Sequence, residues 1–181
     1  MNEFQTYEVI THQKSEGLWI MKRIALILLY IAYVITVFII GFTVRIIVPF
    51  LAFVPVTAWI LIFFTWRFVN IDYEYSMTSG YLTFSKVYGS RSRKTVFETS
   101  IKSMSHIAPY TDDCKKLIDR YDPEMIYDAR SSTKAANQYF ALFENANGKK
   151  SIFIFEADDK ALKIFRFYNP SATNIQRSNN T

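Results

Sequence analysis

The side chains that could act as nucleophiles, general bases or metal ligands are few in this sequence. The 181 residues include one cysteine, Cys114, and two histidines, of which His106 lies in the same part of the chain as Cys114. A cysteine nucleophile needs a base that is itself oriented by a third group, and neither residue lies in a sequence signature for that arrangement. One cysteine and two histidines also cannot supply an ordinary structural zinc site. The sequence therefore predicts neither a thiol enzyme nor a zinc module.

A group of carboxylates in the middle of the chain could in principle hold a hard cation. Its members are Asp112, Asp113, Asp119, Asp122 and Glu124. They lack the spacing of a calcium-binding loop, so a solvated acidic loop is the favoured interpretation. Gly80 and Gly89 are isolated turn glycines and do not form a phosphate-binding loop. We therefore expect no catalytic residue, no metal and no cofactor, with an enzyme kept only as a remote alternative.

Arg91, Arg93 and Lys94 form a short basic connection that could contact a partner or anionic lipid headgroups. Each cation near an anionic surface contributes about 1 kcal/mol. The alternative, which we favour, is a solvated turn whose charges discourage edge-to-edge strand pairing. The net charge of +5 is modest and the charges are interspersed, so nucleic-acid binding is not expected.

The apolar residues are concentrated near the N-terminus. Half of the chain is hydrophobic and 17% is aromatic, which excludes a disordered chain. Residues 24–66 contain a single formal charge, Arg45. Because a membrane-spanning helix needs about 20 apolar residues, this stretch predicts two crossings, at about residues 24–42 and 50–66, within a hairpin of residues 21–67. Pro49 is expected to start the second helix, and Pro55 to kink it or to free a backbone carbonyl.

Charged and indole side chains flank these two segments in the way that membrane-interface residues do. The predicted anchors are Trp19, Lys22, Arg23, Arg45, Trp66 and Arg67. The basic residues next to the outer ends of the helices outnumber Arg45 in the turn. By the positive-inside rule, the chain is predicted to be a multi-pass membrane protein with both termini in the cytoplasm.

Two short polar stretches precede the hairpin and follow the main predicted domain. Residues 1–20 are a polar arm, interpreted as a short helix on the membrane surface or as a frayed tail. Residues 171–181 are a polar tail that we expect to be disordered. The domain itself spans residues 68–170.

The pattern changes to strands after Arg67. Alternation in residues 69–77 predicts a half-buried strand, Ser79-Gly80 a turn, residues 81–88 a second strand and residues 94–98 a third. A short helix over 113–121, capped by Asp112 or Asp113, and a short strand near 126–128 follow. Residues 138–144 and 150–156 form a hairpin around Asn147-Gly148, and a helix over 159–168, capped by Asp158, closes the domain. This order predicts an α+β domain with an antiparallel sheet.

Several of these segments resemble bacterial pleckstrin-homology-like (PH-like) domains. Residues 73–84 are YEYSMTSGYLTF, and residues 87–89 are VYG before the basic run. In those domains a strand ends in a T-x-G turn, and the next strand leads to a G-x-R-x-R-K segment and a D-I step. Ser100 stands here where that step has aspartate, before Ile101. Residues 155–159, FEADD, are similar to the closing strand and the start of the C-terminal helix.

The whole order is similar to a family of small bacterial membrane proteins with a two-helix hairpin and a PH-like domain. Residues 126–132, IYDARSS, resemble its central segment, and the resemblance covers residues 7–170. It implies a PH-like curved antiparallel sheet or barrel, closed by a C-terminal helix, at the cytoplasmic membrane face. Its motifs are structural turns, so it implies no catalytic residue.

The sequence therefore predicts a membrane-anchored, non-catalytic binding or assembly module. Its partners would be the lipid bilayer and a protein whose extended segment pairs with an exposed sheet edge. The alternative is a structural subunit of a larger membrane complex that associates through its transmembrane hairpin.

Overall fold

The computed structural model describes residues 6–13, 17–89, 91–111 and 114–174. The chain divides into two compact units. One, here the helical unit, contains Lys14–Ile71 and Tyr88–Ser92. The other, here the domain unit, combines the chain up to Gln13 with Asp72–Val87 and the residues from Arg93 onward.

The helical unit contains the two predicted helices. Helix α1 spans Leu18–Thr43, and a 3-10 helix over Arg45–Phe53 leads into helix α2, Val54–Thr65. A second 3-10 helix, Trp66–Phe68, follows. Two stretches, Trp19–Thr43 and Val48–Phe68, are long and apolar enough to cross a membrane, and in an apolar 18-residue window of each only 6% is buried within the protein. The core helix of a soluble protein would be mostly buried.

The two prolines mark where the second helix changes its winding. Pro49 lies inside the 3-10 helix, and Pro55 lies in the first turn of α2. The predicted kink at Pro55 is therefore replaced by a change from 3-10 to α-helical winding next to it. Proline has no N–H to donate, and inside a helix its ring clashes with the carbonyl four residues earlier. In the first turn of a helix that N–H has no acceptor within the helix, so proline is tolerated there.

Hydroxyl pairs hold the two helices side by side. The Tyr30 hydroxyl lies 2.5 Å from Oγ1 of Thr65, and the Tyr33 hydroxyl lies 2.8 Å from Oγ1 of Thr57. Gly41 provides close approach at the other end, since a Cβ there would lie 2.6 Å from a methyl group of Leu51. The helices therefore form an antiparallel pair with its own contacts.

The first sheet of the structure has the strand order β1-β2-β3-β4. Its strands are β1 Thr6–His12, β2 Ile71–Thr78, β3 Tyr81–Tyr88 and β4 Ser92–Ser100. Strand β1 pairs antiparallel with β2, from Thr6 opposite Thr78 to His12 opposite Asp72. The arm that the sequence assigned to a surface helix or a frayed tail thus contains an edge strand instead. Along the sequence, both apolar helices lie between β1 and β2, which are neighbouring strands of one sheet.

The second sheet has the order β5-β7-β8-β6. Its strands are β5 His106–Pro109, β6 Met125–Asp128, β7 Gln138–Glu144 and β8 Lys150–Glu156. Strand β6 runs parallel to β8, and the other pairs are antiparallel. The described strands therefore form two four-stranded sheets and not the single curved sheet or closed barrel that was expected. A 3-10 helix at Ile101–Ser103 ends β4, and β5 then pairs with β7.

Aromatic side chains fill the space between the sheets. Tyr75 on β2 lies 5.6 Å from Phe155 on β8, and Phe84 on β3 lies 5.1 Å from Phe153, measured between ring centroids. All four rings are fully buried. Burying such rings contributes roughly 1.5–3 kcal/mol each, so this layer is the main source of the domain unit's stability.

Helices cover the second sheet on both faces. Helix α4, Asp159–Tyr168, places Phe165 at 5.3 Å from Phe155. On the opposite face, Ile152 and Ile154 belong to a cluster against which Ile118 of helix α3, Lys115–Tyr121, packs. The apolar run of β8 is therefore buried on both faces of the strand.

The N-terminal caps of α4 and α3 and the C-terminal tail were all predicted from the sequence. Asp158 caps α4, because its Oδ1 accepts from the backbone N–H of Ala161 at 2.8 Å. Asp112 and Asp113, the predicted caps of α3, lie outside the described residues. The tail expected to be disordered begins with an ordered stretch, in which Thr173 forms a bridge with Ile107, and residues 175–181 are not described.

Candidate functional site

A groove of about 340 Å³ runs beside β1, the edge strand of the first sheet. We call it the edge groove. It is lined by Val9, Ile10, Thr11, His12, Ser131, Ala136, Asn137, Glu156, Ala157 and Asp158. In the part of the chain that the structure describes, β1 pairs with β2 alone, so its second edge faces this groove. An edge strand carries N–H and C=O groups that can pair with another chain.

The wall opposite β1 is the segment that joins β8 to α4. The backbone N–H of Ala157 donates to the carbonyl of Asn137 at 3.1 Å, and Oε1 of Glu156 accepts from the N–H of Ser131 at 2.5 Å. The hydroxyl of Tyr75 donates to the carbonyl of Glu156 at 2.6 Å. Backbone and core groups thus hold this wall in place.

One ion pair shapes the loop that completes the wall. The guanidinium of Arg130 donates to both carboxylate oxygens of Asp128, at 2.9 and 2.6 Å, and to Oε1 of Gln138 at 2.9 Å. The Gln138 amide in turn donates to the carbonyls of Thr133 and Ala135. The hydrogen bonds to Asp128 raise the pKa of Arg130. The loop that carries Ala136 is therefore braced by charge-assisted hydrogen bonds.

Tyrosine hydroxyls tie β1 and β2 to this wall. Tyr7 donates to Oδ2 of Asp158, the residue that caps α4. Burial, with a smaller contribution from that hydrogen bond, raises the pKa of Tyr7 to about 12. Burial also raises the pKa of Tyr75, and the negative charge of Asp158 adds to the shift. Both hydroxyls therefore stay protonated donors at neutral pH.

The residues that could have performed catalysis have separate structural roles. The thiol of Cys114 donates to the carbonyl of Pro109 at 3.3 Å, and the ring of His106 lies 5.7 Å from that of Phe140. In the described residues, no group of three His, Cys, Asp or Glu side chains could hold a metal ion. The edge groove offers carboxylates and backbone groups, which can accept or donate hydrogen bonds.

The predicted basic cluster is divided between the two units. Arg93 forms an ion pair with the buried Glu74 and lies 3.8 Å from the carboxylate of Glu8. Arg91 lies over the ring of Phe63, 4.3 Å from its centroid. Lys94 is exposed. Arg93 is thus paired with carboxylates, whereas Arg91 lies on an aromatic ring.

Five of the six predicted membrane anchors lie next to the outer ends of the two apolar helices. Lys22 lies over the ring of Trp19 at 4.4 Å, and Nε of Arg23 donates to the carbonyl of Val69 at 3.4 Å. Arg67 lies over the ring of Phe68 at 4.8 Å, and Trp66 is exposed. The side chain of Arg45 lies outside the described residues.

Sequence reasoning missed the edge groove because it missed β1. A signal was present, since Tyr7, Val9 and Thr11 alternate with Glu8, Ile10 and His12. Glu8, Ile10 and His12 are the more exposed side chains, and Thr11 is buried. That alternation predicts a strand but does not indicate its partner.

Comparison with known proteins bears on the domain as a whole. Residues 4–175 match the family described as "Bacterial PH-like domain (DUF6106)". No curated protein and no solved structure matches the chain. The match includes β1, both apolar helices and the two sheets down to the bridge at Thr173. Since it covers almost the whole sequence, the chain belongs to the family of bacterial PH-like domains.

Proposed function

We propose that this protein is a bacterial inner-membrane protein whose PH-like domain is a non-catalytic binding module in the cytoplasm. The module would bind an extended segment of a partner protein along the open edge of β1. The observation that carries the proposal is the edge groove itself, in which an unpaired strand edge faces a braced wall with two carboxylates. A PH-like family supports binding rather than catalysis.

The membrane placement is supported by chain connectivity. His12 and Asp72 lie opposite each other in the β1–β2 pair, and both apolar helices lie between them in sequence. A chain that leaves one strand and returns to its neighbour must cross a membrane an even number of times. Two crossings satisfy this condition and also place Lys22, Arg23 and Arg67 on one side, as the positive-inside rule requires of the cytoplasmic side.

The chemistry of the groove favours a particular kind of segment. Backbone hydrogen bonds to β1 require an extended chain and are independent of its sequence. Selectivity then comes from the groove's side chains, of which Glu156 and Asp158 bring negative charge. An extended segment with a Lys or Arg side chain facing these carboxylates is the best match.

Site-specific photo-crosslinking in native membranes tests this proposal. A photoreactive residue at Ala136, which is exposed in the groove, should capture a partner protein, and one at Asn147, exposed at the β7–β8 loop, should not. The captured segment, made as a peptide, should bind the purified full chain and slow amide hydrogen exchange in β1.

Binding of the same peptide to two charge variants shows whether it occupies the groove or another surface. Glu156→Gln keeps an oxygen acceptor for Ser131 but removes the charge, and should weaken a basic peptide about fivefold to tenfold. Glu144→Gln, at an exposed carboxylate outside the groove, is the matched control. If capture occurs only from positions on α1 or α2 such as Trp59, the chain is instead a structural subunit that associates through its helical hairpin.

A further inference from the structure

A second cavity, of about 290 Å³, lies within the helical unit. We call it the interfacial pocket. Its lining includes Trp59, Phe63, Phe64, Trp66, Arg67 and Arg91. One wall is therefore aromatic and comes from the end of α2, and two guanidinium-bearing residues complete the lining.

Each of the two arginines of the pocket lies on an aromatic ring. Arg91 lies 4.3 Å from the ring centroid of Phe63, and Arg67 lies 4.8 Å from that of Phe68. Among the described residues, no carboxylate lies within ion-pair distance of either guanidinium. Stacking on a ring leaves the N–H groups of a guanidinium free to donate, so both arginines can still bind an anion.

Gly89 allows the β3–β4 connection, which carries Arg91, to pack closely against Arg67. The N–H of Gly89 donates to the carbonyl of Asn70 at 2.8 Å, which ties the β3–β4 connection to the chain after α2. Gly89 has a φ of +58°, and a Cβ there would lie 2.8 Å from Cβ of Arg67. A larger residue could not pack against Arg67 in this way, so the sequence builds this juxtaposition with a residue that has no side chain.

We propose that the interfacial pocket binds an anionic phospholipid. Arg67 and Arg91 would both donate to the phosphate, because planar guanidinium groups match phosphate geometry and no cationic headgroup competes for it. The acyl chain next to the glycerol would lie against Phe63 and Trp59. Tryptophans favour the depth of the headgroups, which places Trp66 at the expected level. This inference rests on the membrane placement proposed above, but not on the edge groove.

The occupant is a lipid rather than a free anion because of the wall that continues from the two charges. Trp59, Phe63 and Phe64 are exposed in the protein. They lie on a helix that is long and apolar enough to cross a membrane. A free phosphate would leave this aromatic surface unused, whereas a phospholipid covers both the charged and the apolar part.

Tryptophan quenching by brominated lipid tests the proposal on the full chain. Trp19, Trp59 and Trp66 are the three tryptophans, so Trp19→Phe leaves the two that line the pocket. In micelles of a neutral detergent, phosphatidylglycerol with brominated acyl chains should quench them at concentrations at least tenfold lower than brominated phosphatidylcholine does. Arg67→Gln and Arg91→Gln should each weaken the phosphatidylglycerol effect about fivefold.

Lys94→Gln is the matched control, since it removes an exposed positive charge that does not line the pocket. Equal quenching by both lipids, or equal effects of Lys94→Gln and Arg91→Gln, would overturn the proposal. So would complete competition by inorganic phosphate at the lipid's own concentration, which would indicate a site for free anions. Flotation with vesicles distinguishes failure of the membrane placement from failure of the pocket proposal. A chain that fails to float contradicts both, whereas a chain that floats without lipid preference contradicts only the pocket proposal.

Discussion

The carboxylate of Asp158 joins the first strand of the domain unit to its last helix, through Tyr7. One oxygen of Asp158 accepts from the Tyr7 hydroxyl, and the other accepts from the N–H of Ala161 at 2.8 Å. The same side chain therefore caps α4 and holds β1 beside the edge groove. The two residues come from opposite ends of the chain, with the membrane-length helices between them.

Replacing Asp158 should loosen both elements together. Asp158→Ala removes the cap and the acceptor of Tyr7, and we expect a loss of about 1.5–3 kcal/mol in the free energy of unfolding. The measurement is thermal unfolding of the full chain in detergent, followed by near-ultraviolet circular dichroism. Asp159→Ala, at an exposed residue in the first turn of α4, is the control and should cost less than 1 kcal/mol, since that carboxylate only complements the helix dipole. Equal losses in the two variants would contradict the double role of Asp158.

The attachment of β1 should depend on pH in the alkaline range. The pKa of Tyr7 is raised to about 12 in the folded protein, against an ordinary value of 10.0. A raised folded pKa means that the contribution of this group to stability is complete below pH 10 and is lost as the pH rises through 12. The difference in melting temperature between the wild type and Tyr7→Phe should therefore shrink between pH 10 and pH 12.

Absorbance at the tyrosinate wavelength gives an independent check of the same group. The titration of the wild type minus that of Tyr7→Phe isolates one hydroxyl, and its midpoint should lie near 12 in the folded chain. A midpoint near 10 would show that Tyr7 is not held against Asp158 in solution.

Gly80 and Gly148 allow backbone strain to be separated from a steric clash. Both have positive φ, of 85° and 72°. A Cβ at Gly80 would lie 2.9 Å from the ring of Tyr168, whereas a Cβ at Gly148 would meet nothing within 4 Å. Gly148→Ala should cost about 1 kcal/mol from strain alone, and Gly80→Ala should cost at least 1 kcal/mol more, in chemical denaturation of the full chain. If the two variants unfold at the same denaturant concentration, Tyr168 moves aside at no cost.

Phe165 should tolerate neither charge nor polarity, because it is fully buried against Phe155. Phe165→Asp places an unpaired carboxylate under α4 and should cost several kcal/mol, which approaches the whole stability of a domain of this size. Phe167→Asp on the same helix is the control, since that side chain is 65% exposed. The amount of folded protein recovered from membranes, together with its melting temperature, distinguishes the two. Similar melting temperatures would mean that α4 does not pack on β8.

Topology can be tested with single cysteines in a Cys114→Ser background. Val44 lies between the two apolar helices, and Asn147 lies at the exposed β7–β8 loop. A membrane-impermeant thiol reagent applied to intact cells should label Val44→Cys and leave Asn147→Cys unlabelled, with both labelled after lysis. Labelling of Asn147→Cys from outside would reverse the proposed orientation.

The sequence by itself determined the elements whose signals are local. Two apolar stretches predicted the two helices, because length and hydrophobicity are properties of each segment alone. Ser79-Gly80 predicted the β2–β3 turn, in which both residues have positive φ, as a type I′ turn requires. Asp158 predicted the start of α4, since a cap involves groups only three residues apart.

Only the tertiary structure decided how these elements combine. Strand β1 pairs with β2 across the inserted helices, and nothing in the alternation of Tyr7, Val9 and Thr11 specifies that partner. The division into two sheets, and with it the edge groove, follows from that pairing and from the pairing of β5 with β7. Likewise Arg91 and Arg93 are near neighbours in sequence, yet one lies on Phe63 and the other pairs with Glu74. The physical reason is that periodicity and turn residues encode which face is buried and where the chain turns, whereas strand pairing and ion pairs depend on groups that folding brings together from distant parts of the chain.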